Sequence, residues 1–368
     1  MEYIAINGQF TARQVTGQER FAFELLLELD KIVKDSPLHF KLIVPKNAQN
    51  IPDLQNIIVE KYGKAKGSLW EQTYFTYYLF RYRFTSLNLC SIMPILKPGI
   101  ICIHDLSYKV NPDYFKTTYT RISKIWHKLH FWLAWRFSPV IYTVSEFSKS
   151  QMIDIYHVNP KKIVVLGNGW EHFKRVNEDV MLKIRRPEIF AKPYFFSLGS
   201  LAPNKNIEWV LSVAKIHPQY NFLIAGKNGL KDYGTDYREC DLPNVRFLGY
   251  ITDGEIKYLM KHCKAFIFPS FFEGFGIPPL EALSVGTKVI VARSSCLPEI
   301  FEASAYYIDP NKICMSLDEL LNDSVQSGER VLQKYRFSSF ARILLDSLED
   351  LFIKKRGDLQ LYMENTII

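Results

Sequence analysis

The stretch Pro269-Ser270-Phe271-Phe272-Glu273-Gly274-Phe275-Gly276-Ile277-Pro278-Pro279-Leu280-Glu281-Ala282-Leu283 combines residue types that can hold an anion between two hydroxyl-bearing groups. It follows an apolar run and opens a helix. Gly274 and Gly276 let the backbone approach a ligand closely, and Pro278 and Pro279 suit a first helical turn, where a missing N–H costs nothing. The N–H groups and dipole at such a helix start favour negative charge, and a diphosphate is the natural occupant. Glu273 and Glu281 can accept hydrogen bonds from hydroxyls on either side of it, one from a sugar and one from a ribose. The plainer alternative is a Gly-Pro loop whose glutamate complements the helix dipole.

A second segment, Ser197-Leu198-Gly199-Ser200-Leu201-Ala202-Pro203-Asn204-Lys205-Asn206-Ile207-Glu208, again reads as strand, turn and helix start. Lys205 can place a compact positive charge on a phosphate. In the first half, Gly17 in Thr16-Gly17-Gln18-Glu19-Arg20 precedes a helix with the apolar stripe Ala22, Leu25, Leu26, Leu29 and Ile32. His104-Asp105 follows the apolar run Ile100–Ile103, and a histidine there can donate to a sugar hydroxyl or a phosphate oxygen.

These residues need a scaffold that brings strand ends together. Apolar runs recur at Tyr3–Ile6, Phe40–Val44, Ile57–Val59, Ile100–His104, Val140–Val144 and Ile163–Leu166. The rhythm restarts after a polar stretch with Tyr194–Leu198, Phe222–Ala225, Val245–Leu248, Ala265–Phe268, Val289–Ala292 and Ala305–Ile308. Continuously apolar strands separated by helical segments predict parallel sheets covered on both faces. The expectation is an α/β chain of two Rossmann-like, doubly wound domains, residues 1–170 and 171–336, with their ligand crevices facing across a cleft. Phe340, Ile343, Leu344, Leu348 and Leu351 predict an amphipathic helix in the final segment, 337–368.

The 368 residues suffice for two domains, and 48% hydrophobic with 23% charged residues excludes a disordered or collagen-like chain. The six cysteines form no CxxC pair and read as reduced thiols. The first residues lack the basic and apolar regions of a secretory signal, so a cytoplasmic protein is expected. A net charge of +8 points to anionic partners: phosphorylated substrate, lipid headgroup or nucleic acid. No Asp-x-Asp, HExxH or Cys/His cluster suggests a metal site, so no metal cofactor is expected. A P-loop and a GxSxG elbow are also missing.

In this order the motifs resemble retaining nucleotide-sugar glycosyltransferases of family 4, with the two-Rossmann GT-B architecture. The Glu-x7-Glu element Glu273–Glu281 is the most specific part; Ile103-His104-Asp105-Leu106-Ser107, Val144-Ser145-Glu146-Phe147-Ser148-Lys149, Gly167-Asn168-Gly169 and Asn244-Val245-Arg246-Phe247-Leu248-Gly249-Tyr250 are similar to further landmarks. The resemblance implies His104, Glu273 and Lys205 as catalytic residues. It implies a donor site from Gly17, Gly199, Ser200, Lys205, Tyr250, Glu273, Phe275, Gly276, Ile277, Pro278, Leu280 and Glu281. Lys205 would contact the diphosphate, Glu281 the ribose and Glu273 the transferred sugar, with His104 over that sugar. Ser200 stands where many members carry an arginine, which leaves the phosphate to Lys205, the helix end and another basic residue. The implied reaction is metal-independent transfer of a hexose from a nucleoside-diphosphate sugar to a saccharide or polyprenyl-linked acceptor in bacterial surface polysaccharide assembly. A nucleotide-sugar 2-epimerase on a related scaffold is the alternative enzyme. A basic nucleic-acid-binding protein, motivated by charge alone, is the alternative outside enzymes, and no recognition motif supports it.

Residues 116–137 contain Lys116, Arg121, Lys124, Lys128 and Arg136 and no acidic residue. At helical spacing Ile122, Ile125, Trp126, Leu129 and Leu133 form one stripe, and Arg121, Lys124 and Lys128 an adjoining face with Phe131 and Trp135 near it and Trp132 on the same surface. This surface, with the aromatic stretch 70–84, is expected to touch an anionic membrane and collect a lipid-linked acceptor, making the protein peripheral on the inner face of the cell membrane.

Overall fold

The computed structural model describes residues 2–114, 117–226 and 241–366. Seven parallel strands build the first sheet: β1 (Glu2–Asn7), β2 (Leu38–Val44), β3 (Ile58–Lys61), β4 (Thr85–Asn88), β5 (Ile100–Cys102), β6 (Ile141–Thr143) and β7 (Ile163–Val165), in the order β3-β2-β1-β4-β5-β6-β7. Six more form the second: β8 (Tyr194–Leu198), β9 (Asn221–Ala225), β10 (Val245–Gly249), β11 (Phe266–Phe268), β12 (Val289–Ala292) and β13 (Tyr306–Ile308), in the order β10-β9-β8-β11-β12-β13. Both sheets reverse strand order beside their first strand, the switch point where open α/β sheets bind ligands.

The apolar runs account for every strand except β4. Its sequence Thr85-Ser86-Leu87-Asn88 is too polar to read as a buried strand, yet it lies between β1 and β5. Its polar groups are satisfied inside: Asn88 Nδ2 donates to Ser86 Oγ and to the Ile100 carbonyl, both at 2.9 Å. Buried amides paired in this way escape the desolvation penalty that would otherwise exclude them.

Five helices position the features discussed below: α1 (Gly17–Ile32), α2 (Thr118–Phe137), α3 (Glu146–Tyr156), α4 (Ile277–Ser284) and α5 (Phe337–Thr366). Thr16 and Glu19 cap the start of α1 reciprocally, and Ala22, Leu25, Leu26 and Leu29 are buried beneath it. The last helix returns to the first sheet. Phe340, Leu344 and Leu348 are buried, Glu349 accepts a 2.7 Å bond from Ser36 Oγ, and Ser347 one of 3.1 Å from Tyr142.

The two sheet domains meet along specific contacts. Ser145 Oγ donates to the Gly274 carbonyl at 2.7 Å, and the Glu299 carboxylate accepts the amides of Glu146 and Phe147 at 2.9 and 2.8 Å. A carboxylate from one domain thus caps α3 of the other. Arg20 on α1 reaches Asp253 with paired bonds of 2.8 and 3.1 Å.

Helix α2 turns most of its apolar stripe outward. Ile122 and Ile125 are 64% and 67% exposed, Leu129 is exposed, and Trp126 is half-buried; of the expected stripe only Leu133 is buried. The face turned inward carries Thr120, His127, His130, Phe131 and Ala134. Two histidines face inward because His130 Nδ1 accepts the Met93 amide at 3.3 Å and His127 stacks on Tyr108 with ring centroids 4.0 Å apart.

Candidate active site

The polar residues singled out in the second domain converge at the carboxyl ends of β8 and β11. Helix α4 begins at Ile277 because Gly276, at φ +97°, turns the chain through a left-handed conformation that a side chain would strain. The prolines at 278 and 279 bring no N–H, and the 280 amide closes the first helical bond onto the Gly276 carbonyl, so the donors of this helix start are the backbone amides at 275–277 rather than a full first turn. The side chains of Phe275 and Leu280 belong to the core: Phe275 packs edge-on against Tyr335, and Leu280 is fully buried. That leaves the Phe275 backbone to meet a ligand and gives Leu280 a packing role.

Lys205 Nζ donates to Glu273 Oε1 at 2.6 Å, with 19% and 12% of the two side chains exposed. Sequence reasoning gave these groups separate partners; the fold sets them on each other. The turn that presents Lys205 is pinned to the Glu273 loop, since Asn204 Nδ2 donates to the Phe272 carbonyl at 3.1 Å and the Phe271 amide to the Asn204 carbonyl at 2.8 Å. Ser295 Oγ accepts the Glu273 amide at 3.1 Å. Gly199 lies under the Lys205 side chain, and a Cβ there would meet its Cδ at 3.6 Å. Ser200 is exposed beside it, and Tyr250 is exposed just beyond the end of β10.

Glu281 is buried and accepts a 2.7 Å bond from His172 Nε2, a residue of the crossover between the domains. Arg20 on α1 of the first domain feels the Glu281 charge. Burial alone would lower its pKa, but the carboxylates of Glu281 and Asp253 outweigh burial and raise it. Arg20 thus adds a second positive charge to that of Lys205, from the first domain. Neither His172 nor Arg20 was singled out as a site residue. Glu281 and His172 are 109 positions apart, and no local pattern links them.

From the first domain, Gly17 opens α1 opposite α4, where an added Cβ would stand 3.7 Å from Ile277 Cδ1. Gly274 lies against His104 so closely that a Cβ would come within 2.3 Å of the His104 carbonyl oxygen. The His104 ring is buried against Phe21, and its Nε2 pairs with the Leu89 carbonyl at 2.9 Å. A carbonyl only accepts, so Nε2 carries the proton, and burial lowers the ring's pKa and keeps it neutral. This corrects the expected donor role: the remaining ring nitrogen, Nδ1, is an acceptor, suited to a hydroxyl and unable to donate to a phosphate.

At the carboxyl ends of β1 and β4 lies a polar cluster that sequence reasoning missed. Asn7 Nδ2 donates to Glu71 Oε1 at 3.0 Å and to Asn88 Oδ1 at 3.1 Å, while Arg13 stands 3.5 Å from Glu71 Oε2. Burial pushes the Glu71 carboxyl upward. On α2, Arg121, Trp132 and Trp135 are exposed and Lys124 and Lys128 half-buried; Lys116 lies outside the described residues. Among the described residues, no group of three His, Cys, Asp or Glu side chains could hold a metal, and no helix is long and apolar enough to cross a membrane.

Residues 183–335 match the family model described as Glycosyl transferases group 1. The chain is 28% identical over 228 residues to O-antigen chain mannosyltransferase B of Escherichia coli, covering 59% of each protein. It is 27% identical over 263 residues to O-antigen chain mannosyltransferase RfbU of Salmonella typhimurium, covering 68% of this chain and 69% of that one. Among solved structures it resembles Anabaena Alr3699/HepE in complex with UDP-glucose, with a TM-score of 0.63, 17% identity, and coverage of 99% of this chain and 100% of that one. WaaG, a glycosyltransferase involved in lipopolysaccharide biosynthesis, gives a TM-score of 0.62 at 12% identity, covering 93% of this chain and 95% of the other. The matched region holds Lys205, Glu273 and Glu281, so on the two-sheet GT-B fold the likeness to group 1 glycosyltransferases falls on the second domain, where these residues meet.

Proposed function

We propose that this protein moves a hexose, by the names of its relatives a mannose, from a nucleoside-diphosphate sugar to a saccharide acceptor, with retention and without a metal ion. The observation that carries this reading is the Lys205–Glu273 pair at 2.6 Å beside the amino end of α4, with Glu281 one helical step away. A diphosphate entering there draws Lys205 off Glu273 and onto a phosphate oxygen. That frees the Glu273 carboxylate for hydroxyls of the transferred sugar, while Glu281 takes the ribose.

As the bond between the anomeric carbon and the phosphate oxygen breaks, negative charge grows on the leaving diphosphate. Lys205 and the amides around Gly276 and Ile277 are already aimed at that charge, so little reorganisation is needed. The acceptor oxygen bonds to the anomeric carbon on the face the diphosphate leaves, and its proton passes to the departing phosphate. His104, neutral and with Nε2 fixed, accepts from a hydroxyl of the same sugar. The acceptor occupies the first domain's side of the cleft, next to Asn7, Arg13 and Glu71.

The acceptor is lipid-linked in this reading, and α2 rests on the membrane. Ile125, Leu129, Trp132 and Trp135 share its outer face with Arg121, Lys124 and Lys128, so apolar insertion and attraction to anionic headgroups act from the same side. The outward turn of the α2 stripe supports this, because Trp132 and Trp135 are exposed on the same side as the cations.

The test is nucleotide release from GDP-mannose and from UDP-glucose, with a mannosyl glycoside as acceptor, by wild type and Glu273→Gln. Anomer-retained glycoside from one donor and its loss in the variant are expected. Epimerised donor without glycoside would overturn the reading.

A further inference from the structure

His172 is spent by none of the steps above, yet it makes the closest polar contact of Glu281. It opens the short helix His172–Arg175 in the crossover from the first domain to the second, and its side chain is 2% exposed. The ring is wedged between Phe173 and Phe337, with centroids 6.1 and 6.2 Å away. Phe337 begins α5, the chain's return path. Its amide donates at 3.0 Å to Glu171, the neighbour of His172, and Trp170 Nε1 donates to the Leu332 carbonyl at 2.8 Å. Both connections between the domains are therefore tied together around this ring.

The carboxylate accepts, so His172 Nε2 donates, and that fixes the tautomer. His172 Nδ1 is buried without a hydrogen-bond partner. The ring's one hydrogen bond is therefore the proton that Nε2 aims at Glu281. One carboxylate oxygen is thereby committed, and the rotation of the carboxylate about its stem is stopped.

We infer that His172 is a positioning residue for nucleotide recognition: from the interdomain crossover it holds the Glu281 carboxylate so that its second oxygen faces the ribose hydroxyls. This rests on the reading that Glu281 binds ribose. Without His172 the carboxylate turns toward Arg20 across the cleft, and discrimination for the ribose hydroxyls goes with it. The consequence falls on donor affinity rather than on the chemical step, because His172 touches neither the sugar nor the diphosphate.

The experiment compares the affinities of GDP and UDP with those of their 2′,3′-dideoxy counterparts by calorimetry, for wild type, His172→Phe and His172→Gln. Wild type is expected to prefer the ribonucleotide of one base by at least about tenfold, the worth of a hydrogen bond to a charged group. His172→Phe lowers that preference to within about twofold, and raises KM for the donor while kcat stays near wild type. His172→Gln, whose amide N–H reaches the same place, restores most of the preference. A His172→Phe protein that keeps the full preference overturns the inference and leaves the ribose reading intact. A wild type that binds both forms equally, or neither, overturns the ribose reading and the inference with it. Should His172→Phe fail to fold, His172→Ala, which also removes the donor, takes its place, and a folded His172→Ala protein that keeps the full preference overturns the inference.

Discussion

Removing the Lys205 ammonium separates a structural ion pair from a catalytic one. Lys205 and Glu273 are 19% and 12% exposed and 2.6 Å apart, between the limits of a surface pair and a buried one. Breaking an exposed pair costs under about 1 kcal/mol and stranding a buried charge about 3–5, so Lys205→Met is expected to cost about 2 kcal/mol, read as a fall of a few degrees in Tm. Adding Glu273→Gln removes the stranded charge and restores most of that loss. Turnover behaves differently. With Lys205 gone the leaving diphosphate loses a preorganised cation, worth about 10²–10³ in kcat/KM, and neutralising Glu273 does nothing to replace it. The assay is a double-mutant cycle on both quantities, thermal unfolding and initial rates with the donor found above. The double variant should melt near wild type and remain at least about 10²-fold slow. Recovery of rate along with stability would show that the pair only holds two loops together, and the reasoning would fail.

The remaining predictions concern closure, protons and the membrane. In Gly274→Ala the new Cβ would fall 2.3 Å from the His104 carbonyl oxygen, so the domains must part; a larger radius of gyration by X-ray scattering and weaker nucleotide binding are expected, whereas unchanged values would mean the contact yields elsewhere. Burial holds the His127 and His130 imidazoles at about 4, well below their ordinary 6.5. Below pH 6.5 the unfolded chain takes up protons that the folded one refuses, so stability is lost as pH falls toward 4, by about 3 kcal/mol for each ring. His130→Phe should flatten the dependence of Tm on pH over that window, and an unaltered slope would exclude its contribution. In flotation with phosphatidylglycerol vesicles, Ile125→Glu/Trp132→Glu and Lys124→Glu/Lys128→Glu should each leave the protein unbound at about 0.15 M salt. Binding by both at wild-type levels would remove α2 from the membrane.

Much of the fold was legible because parallel strands buried on both faces write themselves as continuous apolar runs. β4 escaped because its burial depends on partners elsewhere: Asn88 is paid for by Ser86, Ile100 and Asn7, none of which a local pattern connects to it. The buried face of α2 was not legible for a related reason. Apolar residues surround much of that helix, so periodicity alone does not say which side faces inward, and the inward side carries two histidines satisfied by tertiary contacts. In the site, spacing within one segment gave Glu273, Gly276 and Glu281, since a strand, a glycine turn and a proline-led helix follow each other in the chain. The pairs that cross between segments, Lys205 with Glu273 and His172 with Glu281, became visible only in three dimensions. The direction of His104 also followed from a carbonyl fifteen residues away.

The most direct measurement is a crystal structure with whichever of UDP, GDP or dTDP stabilises the protein most. The diphosphate is expected against Gly276 and Ile277 with Lys205 Nζ about 2.8 Å from a phosphate oxygen and the Lys205–Glu273 bond broken, Glu281 meeting the ribose. A nucleotide bound away from α4, or one that leaves Lys205 on Glu273 at 2.6 Å, would contradict it.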